Sequence, residues 1–211
     1  MTRVATVIGD LVGSRGKSDR AEVHEAFSGA IEVINQEWQP VTSLRITVGD
    51  EFQGAFATVG AAIQAAFRLR IALDSVVDVR HGISWGTTRV LREEPRVEDG
   101  PGWWSARAAI EAAEHAENRA ASRSVRTWYS PAEEGHGPDP SAVNAALVAR
   151  DELFSRLDRS SVSVLSGMLS AMTQKAIAAE LDITPSAVSQ RIRRDGIAAI
   201  VRADELLGTV R

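Results

Sequence analysis

Two aspartates, each behind a glycine at the end of a short β-branched run, are the residues of this chain best suited to chemistry. The first closes Val4-Ala5-Thr6-Val7-Ile8-Gly9-Asp10. The second closes Leu44-Arg45-Ile46-Thr47-Val48-Gly49-Asp50 and leads into Glu51-Phe52-Gln53-Gly54-Ala55-Phe56. Runs of Val, Ile and Thr predict strands, and Gly-Asp between two such runs predicts a hairpin turn. Two strands that each end in Asp bring two carboxylates side by side. That donor set suits Mg²⁺ and, through it, a nucleotide phosphate. Asp10 and Asp50 are therefore the predicted metal ligands, with Glu51 as an auxiliary. Leu11, Val12, Gly13, Ser14 and Arg15 follow as the predicted phosphate-binding segment. Gly and Ser after a strand offer backbone N–H groups to an anion, and Arg15 adds a guanidinium. Either Gly-Asp alone would read as a plain turn; the pair carries the metal reading.

The far end of the chain predicts a different chemistry. Thr173–Leu181 reads as a helix, Asp182-Ile183 as a turn, and Thr184–Arg194 as a second helix. Thr184 is a good N-cap, and Pro185 sits at the first helical position, where its missing N–H costs nothing. Ile177, Leu181, Ile183, Val188 and Ile192 supply a small core, and Ala178 permits a close helix crossing. This is helix-turn-helix patterning, with the second helix predicted to enter the major groove of DNA. Ser186, Ser189, Gln190, Arg191, Arg193 and Arg194 are the predicted DNA-binding residues, since Gln reads adenine, Arg reads guanine or pairs with phosphate, and Ser serves either. A helical hairpin used for dimerisation is the plainer alternative. Net charge is −4, so any DNA contact rests on a local patch.

Between these ends the pattern alternates strand and helix. Val23, Phe27, Ile31, Ile34 and Trp38 recur at helical spacing, and Pro40 ends that helix. Residues 59–73 repeat the spacing, 77–85 alternate as a strand, 103–121 are Ala-rich and helical, and Val125–Tyr129 is a short strand. The order β-α-β-β-α-β predicts a ferredoxin-like, mostly antiparallel sheet with helices on one face. Breakers at Pro131, Gly135, Gly137, Pro138 and Pro140 mark a linker. The expected organisation is an α+β domain over 1–130, a linker and connecting helix over 131–159, and an all-α helix-turn-helix domain over 160–211. With no cysteine in the chain, disulfides, thiolate zinc sites and a cysteine nucleophile are excluded. The sequence shows neither a signal-peptide pattern nor an apolar run near the ~18–20 residues of a membrane span, so a cytoplasmic location is expected. The four histidines lack metal-ligand spacing. Trp103-Trp104 reads as a core or interface anchor ahead of a base-stacking pair.

The residues also resemble known families. Asp10-Leu11-Val12-Gly13 looks like the first metal segment of class III nucleotide cyclases, and Val48-Gly49-Asp50 like their second metal aspartate. Arg80-His81-Gly82-Ile83-Ser84-Trp85-Gly86 is similar to one of their strands. Gly49-Asp50-Glu51-Phe52 echoes the diguanylate cyclase signature with one glycine fewer. The C-terminal helices resemble sigma-factor region 4 and related response-regulator domains. As a whole the chain most resembles the SatD family, through Ile8–Arg15, Gly49–Gly54, Arg80-x-Gly82-Ile83-x-x-Gly86, Gly100-Pro101 with Ala106-Arg107, and the terminal helices. The cyclase resemblance implies that Asp10, Asp50 and the Leu11 carbonyl hold Mg²⁺ and that Arg107 is the candidate catalytic cation. It also implies a homodimer. Two positions depart from the cyclase pattern: Ile46 stands where a base-selecting Lys is usual, and no Asn accompanies Arg107. The sequence thus predicts a DNA-binding transcription regulator with a Mg²⁺- and nucleotide-binding domain. The alternative is a Mg²⁺-dependent nucleotidyl cyclase or related nucleotidyltransferase.

Overall fold

A computed structural model describes residues 2–13, 20–94, 96–132 and 137–211. Among the described residues, six strands and eight α-helices follow one another as β1 (Thr2–Val12), α1 (Arg20–Trp38), β2 (Thr42–Ile46), β3 (Glu51–Phe56), α2 (Val59–Leu73), β4 (Asp78–Arg92), β5 (Val97–Asp99), α3 (Pro101–Glu117), β6 (Thr127–Tyr129), α4 (Pro140–Ser155), α5 (Arg159–Leu169), α6 (Gln174–Glu180), α7 (Pro185–Arg194) and α8 (Ile197–Gly208). The strands lie in the order β2-β3-β1-β4, antiparallel throughout, with β6 added parallel to β4 and β5 antiparallel to its far end. A β-α-β-β-α-β unit in that spatial order is the expected ferredoxin-like arrangement.

Two features of the sheet differ from the sequence expectation. Gly49-Asp50 does form the β2–β3 turn, with Gly49 at φ +66°, a backbone conformation that favours glycine. Gly9-Asp10 does not end a strand. It is laddered on both sides, against Phe52 and Glu51 of β3 and against His81 and Arg80 of β4, so β1 runs on to Val12. The helices also do not share one face. Ala5, Val7 and Leu11 of β1 pack towards α1 and α2, while Val4 and Ile8 pack against Trp103, Ala106 and Ile110 of α3 on the opposite face. Gly82 makes this second layer possible: a Cβ there would lie 2.3 Å from both the Ala106 carbonyl oxygen and the Ile110 nitrogen.

The C-terminal helices continue the packing of the first half. Phe67 and Ile71 of α2 and Phe154 of α4 share one apolar cluster with Val164, Leu165, Ile177, Val188, Ile192 and Ile200. Leu207 of α8 belongs instead to the core beneath the sheet. A helix that is apolar on all sides is a buried helix, and α2 packs against the sheet, α1 and α8, with Phe67 also meeting Phe154 of α4 edge to face. Charges cross the same boundary. Arg70 of α2 donates to Asp78 at 2.9 Å and forms an ion pair with Asp151 at 3.3 Å, Asp151 also takes Arg150 at 3.2 Å, and Asp204 of α8 takes Arg68 at 3.0 Å. Arg150 is fully buried, with its guanidinium 4.2 Å from the Phe67 ring centre. Among the described residues, no helix is long and apolar enough to cross a membrane.

Candidate functional site

Strand alternation decides where Asp10 points. Sharing parity with Val4 and Ile8, it lies on the α3 face, opposite Glu51 in the β1–β3 register and Arg80 in the β1–β4 register. Arg80, nearly buried, donates from Nη1 to Asp10 Oδ2 at 3.2 Å and from Nη2 to Glu117 Oε2 at 2.9 Å, with Glu114 at 3.5 Å. The other Asp10 oxygen, Oδ1, is buried and has no hydrogen-bond partner. Burial pushes the Asp10 carboxyl above the usual carboxylate range. Arg80 opposes that shift, while Glu114, Asp50 and Glu51 add to it. Five acidic groups, Asp10, Asp50, Glu51, Glu114 and Glu117, thus gather at one edge of the sheet, with Arg80 as the buried countercharge.

The hairpin turn brings Asp50 to this edge. The Leu11 N–H donates to the Asp50 carbonyl at 3.3 Å, which docks the turn on the end of β1. Glu51 is engaged differently. Arg107 of α3 grips it with two parallel bonds of 2.6 Å, and this bidentate pair raises the Arg107 guanidinium above its usual range. The three predicted ligands therefore share an edge but do not close on one point. Among the described residues, no three acidic or histidine side chains form a cation cage. Glu51 faces Arg107, and one oxygen of Asp10 faces Arg80. What fits a hard divalent cation is the unpartnered Oδ1 of Asp10 beside Asp50, both oxygen donors in a ring of like charge.

Of the predicted phosphate segment, Leu11 is buried in the core, Val12 pairs with Asp78 at the strand end, and Gly13 has φ +70°. Ser14 and Arg15 lie outside the described residues. A cleft of about 60 Å³ opens between the turn and the first residues of α1, lined by Leu11, His24, Phe27, Gly49 and Asp50 among others. Sequence reading gave Arg80 no role of its own. Its signal was the register: an Arg on the strand beside β1, at the parity of Asp10. His81, read as a strand residue, is fully enclosed beside Phe52, and burial pushes its pKa down to about 3.

At the other end, α6 and α7 are capped by Thr173 and Thr184, whose hydroxyls accept from the Ala176 and Ala187 N–H groups. The turn places Asp182 at φ +52°. Ser186, Gln190, Arg193 and Arg194 are exposed, while Ser189 and Arg191 are half-buried. Arg191 points back into the protein, donating to Asp158 at 3.0 Å and to Ser161 Oγ at 3.1 Å. Arg194 pairs with Asp195, Nη2 to Oδ2 at 2.9 Å. Ser186 exchanges a 2.9 Å hydrogen bond with Thr184.

The sequence profile of the SatD family matches residues 4–207. This chain belongs to the SatD family. The match runs through the sheet and the C-terminal helices alike, so both parts are features of SatD proteins. No curated protein matches the chain. Among solved structures it is similar to a bacterial light-regulated adenylyl cyclase, at 10% identity and TM-score 0.49, over 61% of this chain and 43% of that one. It is also similar to the guanylyl cyclase Cya2, at 12% identity and TM-score 0.43, over 53% and 70% of the two chains. A third is the guanylate cyclase domain of RhGC from Catenaria anguillulae in complex with GTP, at 16% identity and TM-score 0.42, over 52% and 72%. The SatD chain thus aligns with less than half the length of the light-regulated cyclase.

Proposed function

We propose that this SatD protein binds a nucleoside triphosphate together with a divalent cation at the Asp10–Asp50 edge, as a nucleotidyl-cyclase-type domain. The buried, unpartnered Oδ1 of Asp10, set among like charges, carries this reading. Asp10 and Asp50 would hold the cation. Bound there, Mg²⁺ would neutralise phosphate charge and lower the pKa of a ribose hydroxyl. Arg80 fixes the Asp10 carboxylate and offsets Glu114 and Glu117, so the edge is not uniformly repulsive to a polyanion. Arg107 is parked on Glu51 in this state. A polyphosphate arriving at the edge competes for it, because Arg forks onto phosphate as readily as onto carboxylate.

The adenylyl and guanylyl cyclase names of the structural relatives agree with this class of ligand, but the reading stands on the edge itself. Titration calorimetry with ATP and GTP, with and without Mg²⁺, tests it. Metal-dependent binding that disappears in Asp10→Asn/Asp50→Asn supports the reading, and metal-independent or absent binding rejects it.

A second reading rests on α7. Its capped N-terminus and exposed Ser186, Gln190 and Arg193 leave one face open at the helix-turn-helix position, which suits DNA. In that reading Arg191 serves the α5–α7 contact and takes no part in base readout. A gel-shift titration on genomic fragments tests it, and binding that survives Arg193→Ala and Gln190→Ala together would reject it.

A further inference from the structure

We propose that the cavity between the C-terminal end of α2 and helices α5 and α6 binds a lysine-like diamino acid, with Asp74, Arg159 and Glu180 meeting its three charges. The cavity measures about 440 Å³, within the roughly 300–1,000 Å³ of small-ligand sites. It shares no residue with the Asp10–Asp50 edge and does not depend on the triphosphate reading.

Three helices build it. Ile71 of α2, Val162 of α5 and Ile177 of α6 are buried and give the cavity an apolar floor. Gly167 lets α5 and α6 approach closely, since a Cβ there would lie 2.7 Å from Ile177 Cγ1. Each helix also brings one charge to the cavity: Asp74 at the C-cap of α2, Arg159 as the first residue of α5, and Glu180 as the last residue of α6. Elsewhere on the C-terminal helices charges are paired, Arg191 with Asp158, Arg194 with Asp195 and Arg202 with Glu205. Among the described residues, the side chains of Asp74, Arg159 and Glu180 make no hydrogen bond or close ion pair. Asp74 and Arg159 still feel each other's charge. Burial pushes the Asp74 carboxyl above the usual carboxylate range; Arg70 and Arg159 oppose that shift, and Asp78 adds to it. A cation bound beside Asp74 relieves this cost.

The charges define the ligand. Two acids and one base border the cavity, over an apolar floor. Their complement carries two cations, one anion and an aliphatic stem, which is an α-amino acid with a second amine at the end of its side chain. Its carboxylate takes Arg159, its α-ammonium takes the neighbouring Asp74, and its ω-ammonium takes Glu180. The methylenes lie on Ile71, Val162 and Ile177. An amino acid with a plain aliphatic side chain leaves Glu180 unmet, and a simple diamine leaves Arg159 unmet. Ser166 and Ser170 of α5 also border the cavity, and their hydroxyls can accept from an ammonium or donate to a carboxylate.

Titration calorimetry of the full chain with L-lysine and L-ornithine tests the site. L-norleucine, which lacks the ω-ammonium, and 1,5-diaminopentane, which lacks the carboxylate, are titrated beside them. The expected result is that lysine or ornithine binds at least about tenfold tighter than either, since each of those lacks one charge-assisted hydrogen bond. Glu180→Gln should cost lysine about tenfold and leave norleucine unchanged. Arg159→Gln should cost lysine about tenfold and leave diaminopentane unchanged. Both positions are exposed, so thermal melts of the two variants should match the wild type. No binding of lysine or ornithine, equal binding of all four compounds, or a Glu180→Gln loss that is the same for lysine and norleucine would overturn the site. Asp10→Asn/Asp50→Asn should leave lysine binding unchanged, so failure of the triphosphate reading and failure of this site are told apart.

Discussion

Replacing Arg80 with methionine removes the guanidinium that pairs with Asp10 and so asks what holds the acidic edge together. Arg80 touches Asp10, Glu114 and Glu117, and the last of these also pairs with Arg126 at 3.2 Å. Taking one partner from a fully buried pair costs about 3–5 kcal/mol. Asp10 keeps 34% exposure and Glu117 28%, so water meets part of that loss and about 2–3 kcal/mol is expected here. For a chain of this size that is a fall in Tm of about 4–12 °C. The loss has a definite pH dependence. The Asp10 carboxyl is already raised above its unfolded value, so its contribution favours the folded state below that value and fades as pH rises through the folded pKa. Without Arg80 the folded pKa rises further, and the window moves up with it. Urea melts followed by tryptophan fluorescence should therefore show a larger deficit at pH 7.5 than at pH 5. Millimolar Mg²⁺ should restore part of it at pH 7.5. A deficit below about 1 kcal/mol, or one that ignores both pH and Mg²⁺, would refute the reasoning.

Three other outcomes follow from the same geometry. Asp151→Asn weakens the grip on Arg70 and Arg150 and on the backbone N–H groups of Arg126 and Thr127, so a loss of about 3–5 kcal/mol is expected in the same melts. Because α2 and α4 carry the C-terminal helices, far-UV CD and tryptophan fluorescence should report this loss as one transition. Asp182→Gly relieves a left-handed backbone and should raise stability by about 0.5–1 kcal/mol in thermal melts. If α7 reads DNA, Arg193→Ala should weaken binding by about 1–3 kcal/mol in gel shifts with the thermal midpoint unchanged. Arg191→Ala should instead lower the midpoint.

Much of the fold was legible because local pattern and tertiary packing agree. The spacing of Val23, Phe27, Ile31 and Ile34 gives the buried face of α1, Thr58 caps α2 through the Ala61 N–H, and Gly49 marks a real turn. The misreadings arose where a residue's partner is far away in sequence. Gly9-Asp10 reads as punctuation until β3 and β4 are laid on either side of it. The Ala-rich α3 carries no sign of which face of the sheet it covers; that is decided by Gly82 on a strand twenty residues earlier. The short β5 has too few residues to show alternation. The spacing over residues 59–73 predicts the helix, but not the second packing surface of α2, where Phe67 and Ile71 join the cluster of the C-terminal helices. The candidate site was legible in its aspartates, which strand chemistry announces. Arg80, the Arg107–Glu51 pair and the cavity between α2, α5 and α6 were not, because each depends on register across strands or on the seating of helices.

The account stands or falls on whether the Asp10–Asp50 edge takes a metal-bound triphosphate. Titration calorimetry of the wild-type chain with GTP and ATP, with Mg²⁺ and then with EDTA, measures this directly beside Asp10→Asn/Asp50→Asn. Binding that requires Mg²⁺ and falls at least about tenfold in the double variant is the predicted result. Equal binding by both proteins, or none by either, would contradict it.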